Sequence, residues 1–220
     1  MSNTISIVSP YSKIKHATPN LERVIEEGAR ICYRSEEKLG ANPNFIPSII
    51  RRGHHSVLEH GAITVDFLTD RAITHELVRH RIASFSQEST RYCNYNNKGL
   101  FFAAPAALNI PTGEYDYDFI KRAYPATTKR CFLESIWQSA ENYLLLLKQG
   151  EKPETARAIL PNCLAAKIRI TANPREWRHI FTLRTAKGAH PDMQILMKEL
   201  LNQFVEKWPI LFTDIKENIA

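Results

Sequence analysis

Eight glycines are spread so thinly over 220 residues that no two lie within six positions of each other. A G-x-G-x-x-G turn or a P-loop needs clustered glycines, because a backbone carrying Cβ atoms cannot close that tightly around phosphates. The chain is therefore excluded from both nucleotide-binding folds, and any nucleotide it holds is held by other means. Apolar periodicity points instead to helices with a few separated strands. Thr4–Val8 and Leu100–Ala103 read as short strands. Ile63, Val65 and Phe67 alternate with Thr64, Asp66 and Leu68 as a half-buried strand does, and Lys167–Ala172 carries a brief version of the same pattern. Leu21, Val24, Ile25, Ala29 and Cys32 share a helical face behind Pro19, and Phe45, Ile46, Ile49 and Ile50 form a second one closed by Gly53. Asp70 caps an expected helix from Arg71 to about Arg81, and polar Ser84 to Asn97 reads as a loop. A long helix is expected over Pro125 to Gln149, and a short one from Pro153 to near Pro161. Asn173-Pro174-Arg175-Glu176 has the cap, proline and glutamate of a helix start, with the helix running to about Lys187. A last helix opens at Pro191 and ends near Trp208-Pro209. The expectation is one α+β domain over residues 1–220, with helices packed around a small, mostly antiparallel sheet.

No apolar run approaches the ~20 residues of a membrane span, and Met1 to Pro10 lacks a basic stretch followed by an apolar core. A cytoplasmic protein with no membrane partner is expected. Cys32, Cys93, Cys131 and Cys163 form no C-x-x-C pair, so each is expected to be a small buried hydrophobe. The formal charge of +6 favours anionic partners without choosing among them. A nucleic-acid module is disfavoured, since the basic residues sit among His, Glu and Ser in short clusters and form no continuous stripe with stacking aromatics.

Chemistry concentrates between residues 51 and 91. Five of the eight histidines fall between His54 and His80, and the stretch holds six arginines and no lysine. Arginine's planar fork grips phosphates and carbonyl pairs bidentately, so the bias suggests a built anion site. His75-Glu76 resembles the start of H-E-x-x-H, but the next histidine, His80, comes five residues on, which on a helix puts the two rings about 140° apart. No metal is expected.

The most specific string is Arg79-His80-Arg81, seven further residues through Glu88, then Ser89-Thr90-Arg91. It resembles the signature of the flavin-dependent thymidylate synthases. Gly53-His54-His55-Ser56-Val57-Leu58-Glu59-His60 is similar to that family's upstream G-H-x-S/T-x-x-E-H segment. Arg157-Ala158-Ile159-Leu160-Pro161 is similar to its A-R-x-x-L-P segment, and Asn173-Pro174-Arg175, His179 and Arg184 to its late N-x-R and the helix after it. Two departures stand out: the turn Thr185 to His190 is longer than expected, and Lys98–Tyr117 matches nothing in the pattern.

The resemblance implies reductive methylation of dUMP to dTMP in deoxynucleotide biosynthesis. Methylenetetrahydrofolate supplies the carbon, FAD the hydride and NADPH the recharging electrons. It implies a homotetramer with FAD sites shared between subunits. For dUMP it implies Glu76, Arg79, Gln87, Glu88, Ser89, Thr90, Arg91, Arg157 and Arg184, with Glu76 and Arg79 on one helical face. For FAD it implies Ser56, Arg79, His80, Arg81, Gln87, Asn173, Arg175 and His179, with His54 packing near flavin and folate. Arg184 is implied as the catalytic cation. Its stripe with Trp177, Ile180 and Phe181 turns it inward, where a guanidinium stabilises charge developing on the pyrimidine oxygens. No cysteine is expected as a nucleophile, since none lies in the motif and Cys163 has no adjacent histidine.

Overall fold

The computed structural model describes residues 4–218. In chain order it gives β1 (Thr4–Ile7), β2 (Tyr11–Ala17), α1 (Leu21–Ile31), α2 (Phe45–Arg51), β3 (Ile63–Asp70), α3 (Arg71–Leu77) and β4 (Ala83–Gln87). There follow α4 (Tyr95–Lys98), β5 (Phe101–Phe102), β6 (Gly113–Asp116), α5 (Tyr117–Ala123), α6 (Thr128–Lys148) and α7 (Pro153–Ala156). The chain closes with β7 (Ala165–Ala172), α8 (Pro174–Arg184), α9 (Pro191–Lys207) and α10 (Pro209–Glu217). The fold is α+β and helix-rich, as expected. One sheet has the order β5-β1-β6 and the other β2-β3-β7-β4. β1 pairs antiparallel with β6 and parallel with β5.

Two compact units emerge. Among the described residues, the first takes 4–11, 67–77 and 87–168; the second takes 12–66, 78–86 and 169–218. In the first, Ile5 and Ile7 of β1, Phe102 of β5 and Tyr115 of β6 meet the buried stripe Leu133, Ile136, Ala140 and Tyr143 of α6. That stripe repeats at three and four residues, so one face of a 21-residue helix is buried and the rest is solvated. Thr127 caps it by accepting a bond from the Arg130 amide.

In the second unit, the pairs Thr64–Thr171 and Asp66–Arg169 run in opposite chain directions, which makes β3 and β7 antiparallel there. The Arg169 fork is bidentate on Asp66 at 2.6 and 2.8 Å and holds that carboxyl below its ordinary range. Asn173 caps α8 as expected, its Oδ1 accepting from the Glu176 amide at 2.8 Å. Trp177, Ile180 and Phe181 on one side of α8 are buried; Phe181 packs against Phe204 of α9 and Phe212 of α10, and the Trp177 indole donates to the Ile63 carbonyl. This aromatic anchor fixes α8 and with it the rotation of its polar face.

Several expectations are corrected. The helix expected to reach Arg81 ends at Leu77, so Glu76 is helical while Arg79 lies beyond the helix, and the two do not share a helical face. Burial of His80 turns the chain inward where propensity would continue the helix. The same early end removes the helical premise used to separate His75 from His80. The loop expected over Ser84 to Asn97 contains β4 and α4. β4 is an outer strand whose alternation, Ala83, Phe85 and Gln87 against serines, is too weakly apolar to read as one. α8 stops at Arg184, short of Lys187. β2, β6, α5 and α10 had no counterpart in the periodicity. The cysteines are not buried hydrophobes: Cys32 and Cys131 are exposed and Cys93 and Cys163 half-buried.

Candidate functional site

The second unit contains a cavity of about 800 Å³, within the size range of cofactor sites. Stretches far apart in sequence line it: His55 and Glu59; Arg79, His80 and Arg81 after α3; and α8 from its cap Asn173 through Arg175 and His179 to Arg184 at its end, with Ile215 of α10. Five arginines line it (Arg79, Arg81, Arg175, Arg178, Arg184) against two carboxylates, Glu59 and Glu176. Three of them are held by partners that set their roles. Arg175 donates to Glu59 at 2.6 Å, in a pair open to solvent. Arg178 is bidentate on Asp214 and also donates to the Leu211 carbonyl, which ties α8 to α10. The Arg184 Nε donates to His80 Nε2 at 2.9 Å.

His80 is the hinge of the cluster. It is 5% exposed, lies edge-on to His179 with ring centres 5.9 Å apart, and places Nδ1 3.5 Å from Glu176 Oε1. Burial, the Arg184 charge and His179 push its pKa down to about 4, so the ring is neutral near pH 7. Glu176 is 6% exposed, and burial raises its carboxyl above the ordinary value against a smaller lowering by His179.

The first unit gathers the second half of the signature. Gln87, at the end of β4, donates to the Thr74 hydroxyl at 2.8 Å. Ser89 is the pivot of a tight turn: its carbonyl accepts from the Tyr92 and Cys93 amides, and its hydroxyl from the Arg91 amide. Arg157 donates to the buried Thr90 hydroxyl at 3.1 Å, and Arg91 to Glu154 at 2.9 Å. Glu88 turns to the Tyr95 hydroxyl, which donates to it at 2.8 Å; burial and this bond raise the Tyr95 phenol. Glu76 sits on α3 in this unit. The Cys163 thiol, also here, is pushed up to about 11, chiefly by burial, which suits an inert thiol and not a thiolate nucleophile.

Among the residues with implied roles, seven line the cavity: Arg79, His80, Arg81, Asn173, Arg175, His179 and Arg184. Ser56 and His54 are exposed and outside its lining; the His54 Nδ1 lies 3.3 Å from the Tyr33 hydroxyl. Gln87 to Arg91 and Arg157 belong to the other unit. The sequence places Glu59 in the upstream segment and Glu176 at a helix start with no role in the site, and gives no signal for Glu154. The signal available for Glu176 is its three-residue spacing from His179 on one helix.

These features match known proteins. The model of the thymidylate synthase complementing protein family, Thy1, matches residues 13–210. A flavin-dependent thymidylate synthase from Geobacter sulfurreducens is 35% identical over 208 residues, covering 90% of this chain and 83% of that protein. One from Corynebacterium diphtheriae is 31% identical, covering 94% and 84%. Thymidylate synthase X from Helicobacter pylori, solved with FAD and dUMP, superposes with a TM-score of 0.73 at 25% identity, covering 94% of this chain and 99% of that one. The fold alone is shared with a UMP/dUMP methylase from Streptomyces cacaoi, at a TM-score of 0.75 and 19% identity, covering 97% and 96%. The signature string and its cavity thus agree with likeness along nearly the whole length, and the chain belongs to the Thy1 family, that of the flavin-dependent thymidylate synthases.

Proposed function

We infer that the chain is an FAD-dependent thymidylate synthase that methylates dUMP reductively to dTMP. The observation that carries this reading is the cavity in which Arg79-His80-Arg81, Asn173, Arg175, His179 and Arg184 converge. Its donor set fits an anionic dinucleotide: forked cations, a cap amide, and the first turn of an 11-residue helix whose open N–H groups favour phosphate. Arg79, His80, Arg81, Asn173, Arg175 and His179 would hold FAD; the FAD roles of Ser56 and Gln87, and that of His54 near flavin and folate, rest on the family resemblance alone. FAD, when bound, supplies a hydride, and NADPH and methylenetetrahydrofolate are the proposed co-substrates.

The remaining work falls to the chain. Ser89, Thr90, Arg91 and Arg157 hold the dUMP phosphate and ribose, supported by Gln87, Glu88 and Glu76, with Arg79 shared between ligands. Arg184 meets the uracil ring. Methylation exchanges the C5 proton for a methyl group, and negative charge gathers on the ring oxygens along the way. A preorganised guanidinium stabilises that charge, and its planar fork does so directionally. Neutral His80 accepts from Arg184 without bringing a second positive charge beside it.

We further propose a homotetramer with shared FAD sites, and a cytoplasmic location, where reduced thiols such as exposed Cys32 and Cys131 persist. Neither unit is a contiguous stretch of chain, so we treat 1–220 as one functional domain. Titrating flavin-stripped protein with FAD by calorimetry tests the reading, with stoichiometric binding expected. Absence of binding overturns it. A tetramer mass in light scattering is expected alongside; a fully active monomer contradicts the assembly.

A further inference from the structure

Hydrogen-bond logic fixes the protonation state of the buried ring. The Arg184 Nε–H can only donate, so the His80 Nε2 that receives it at 2.9 Å carries no proton. A neutral imidazole has one N–H, which must then be on Nδ1, and the group facing Nδ1 is Glu176 Oε1 at 3.5 Å. The opposite tautomer would set N–H against N–H at Arg184. Glu176 is pinned in turn, because its own amide is the one the Asn173 side chain caps. The edge-on contact with His179 limits how far the His80 ring can tilt.

We propose that Glu176 is a positioning residue for Arg184, acting through His80: its carboxylate holds the imidazole as the Nδ1–H tautomer, which leaves Nε2 as the acceptor that aims the guanidinium. This rests on the reading of Arg184 as the group that meets uracil. Glu176 itself touches no reacting atom. A carboxylate that fixes a histidine tautomer is a recurrent device wherever the second ring nitrogen has a task. Here that task is to orient a cation.

A double-mutant cycle in the FAD-loaded enzyme tests it, read by single-turnover flavin reoxidation at saturating dUMP. Glu176→Gln, whose amide can donate to Nδ1 and so favour the wrong tautomer, is expected to slow the step about 10-fold. The dUMP Michaelis constant and the melting temperature should stay near those of the parent. Glu176→Asp, which keeps the charge, should lose less. In an Arg184→Ala background the Glu176 substitutions should change the residual rate less than about twofold, because there is no fork left to aim. A role in general packing would slow both backgrounds equally. Losses that multiply across the cycle overturn the proposal, as does a normal Glu176→Gln enzyme beside a crippled Arg184→Ala one; in the latter case the reading of Arg184 survives. An unimpaired Arg184→Ala enzyme overturns both. If Glu176→Gln does not fold, Glu176→Asp carries the same cycle.

Discussion

The two units hold their arginines differently. In the second unit, Arg184 is held on Nε by a neutral ring inside a concave cluster. In the first unit, Arg91 is paired with the Glu154 carboxylate where both remain in contact with water. An imidazole acceptor sets the direction of a guanidinium without adding negative charge. A carboxylate partner sets direction too, but an incoming phosphate must compete with it. The contrast suits the two proposed tasks: Arg184 would have to be aimed before charge develops, and Arg91 would have to capture a mobile anion and release it as product.

The largest effect is expected at Arg184. Arg184→Ala should lower single-turnover rate by ~10²-fold or more, the scale of losing one oxyanion donor, while FAD still binds. Arg184→Lys should not restore the rate, since a point charge cannot reproduce the fork. A bland structural role would instead lower the melting temperature and every activity together. Arg91→Ala should act on the other quantity. Loss of a charge-assisted phosphate contact of about 1.5 kcal/mol or more raises the dUMP Michaelis constant ~10-fold and leaves the saturated rate nearly intact. Steady-state kinetics that showed the reverse split would erase the distinction between the units.

A pH series tests the buried ring. His80 is neutral in the fold down to about pH 4 and has an ordinary value of 6.5 when unfolded. Between those values the unfolded chain binds a proton that the native state refuses, so native stability falls as pH drops through the window. Above it the contribution is constant. His80→Gln should therefore flatten the fall in melting temperature between pH 7 and pH 5. Equal slopes in parent and variant would mean that the ring protonates in place. The smallest effect is expected at Glu154. Exposed ion pairs contribute up to about 1 kcal/mol, so Glu154→Gln should lower the dUMP Michaelis constant by no more than about fivefold. A higher constant would make Glu154 an organiser of Arg91 and not its competitor.

What could be read from the sequence follows the same division. α8 and its cap were legible because Asn-Pro-x-Glu and the stripe Trp177, Ile180, Phe181 are local signals that tertiary structure reinforces. β3 was legible because its alternation is uninterrupted. The end of α3 was not, because what turns the chain there is the burial of His80 against residues about 100 positions away, and periodicity carries no trace of such a contact. β2 escaped for the opposite reason: it is an outer strand bearing Lys13, Lys15 and His16, with Ser12 as its buried residue. The partners of the carboxylates carry no sequence signal either: Glu59 stands in a motif segment, and Glu154 and Glu176 look like ordinary residues, until folding brings an arginine or a buried histidine to each.

On the proposed reading, this chain directs flavin hydride chemistry onto dUMP without a thiolate nucleophile. That reading is tested most directly by anaerobic mixing of the reduced FAD-loaded enzyme with dUMP and methylenetetrahydrofolate, following flavin absorbance and nucleotide product together. The parallel sample is a folded variant with all four cysteines replaced. Reoxidation that depends on dUMP, with about one dTMP formed per flavin and a similar rate in the cysteine-free variant, is the predicted result. Flavin absorbance indifferent to dUMP, or chemistry lost in a folded Cys163→Ala enzyme, would contradict it.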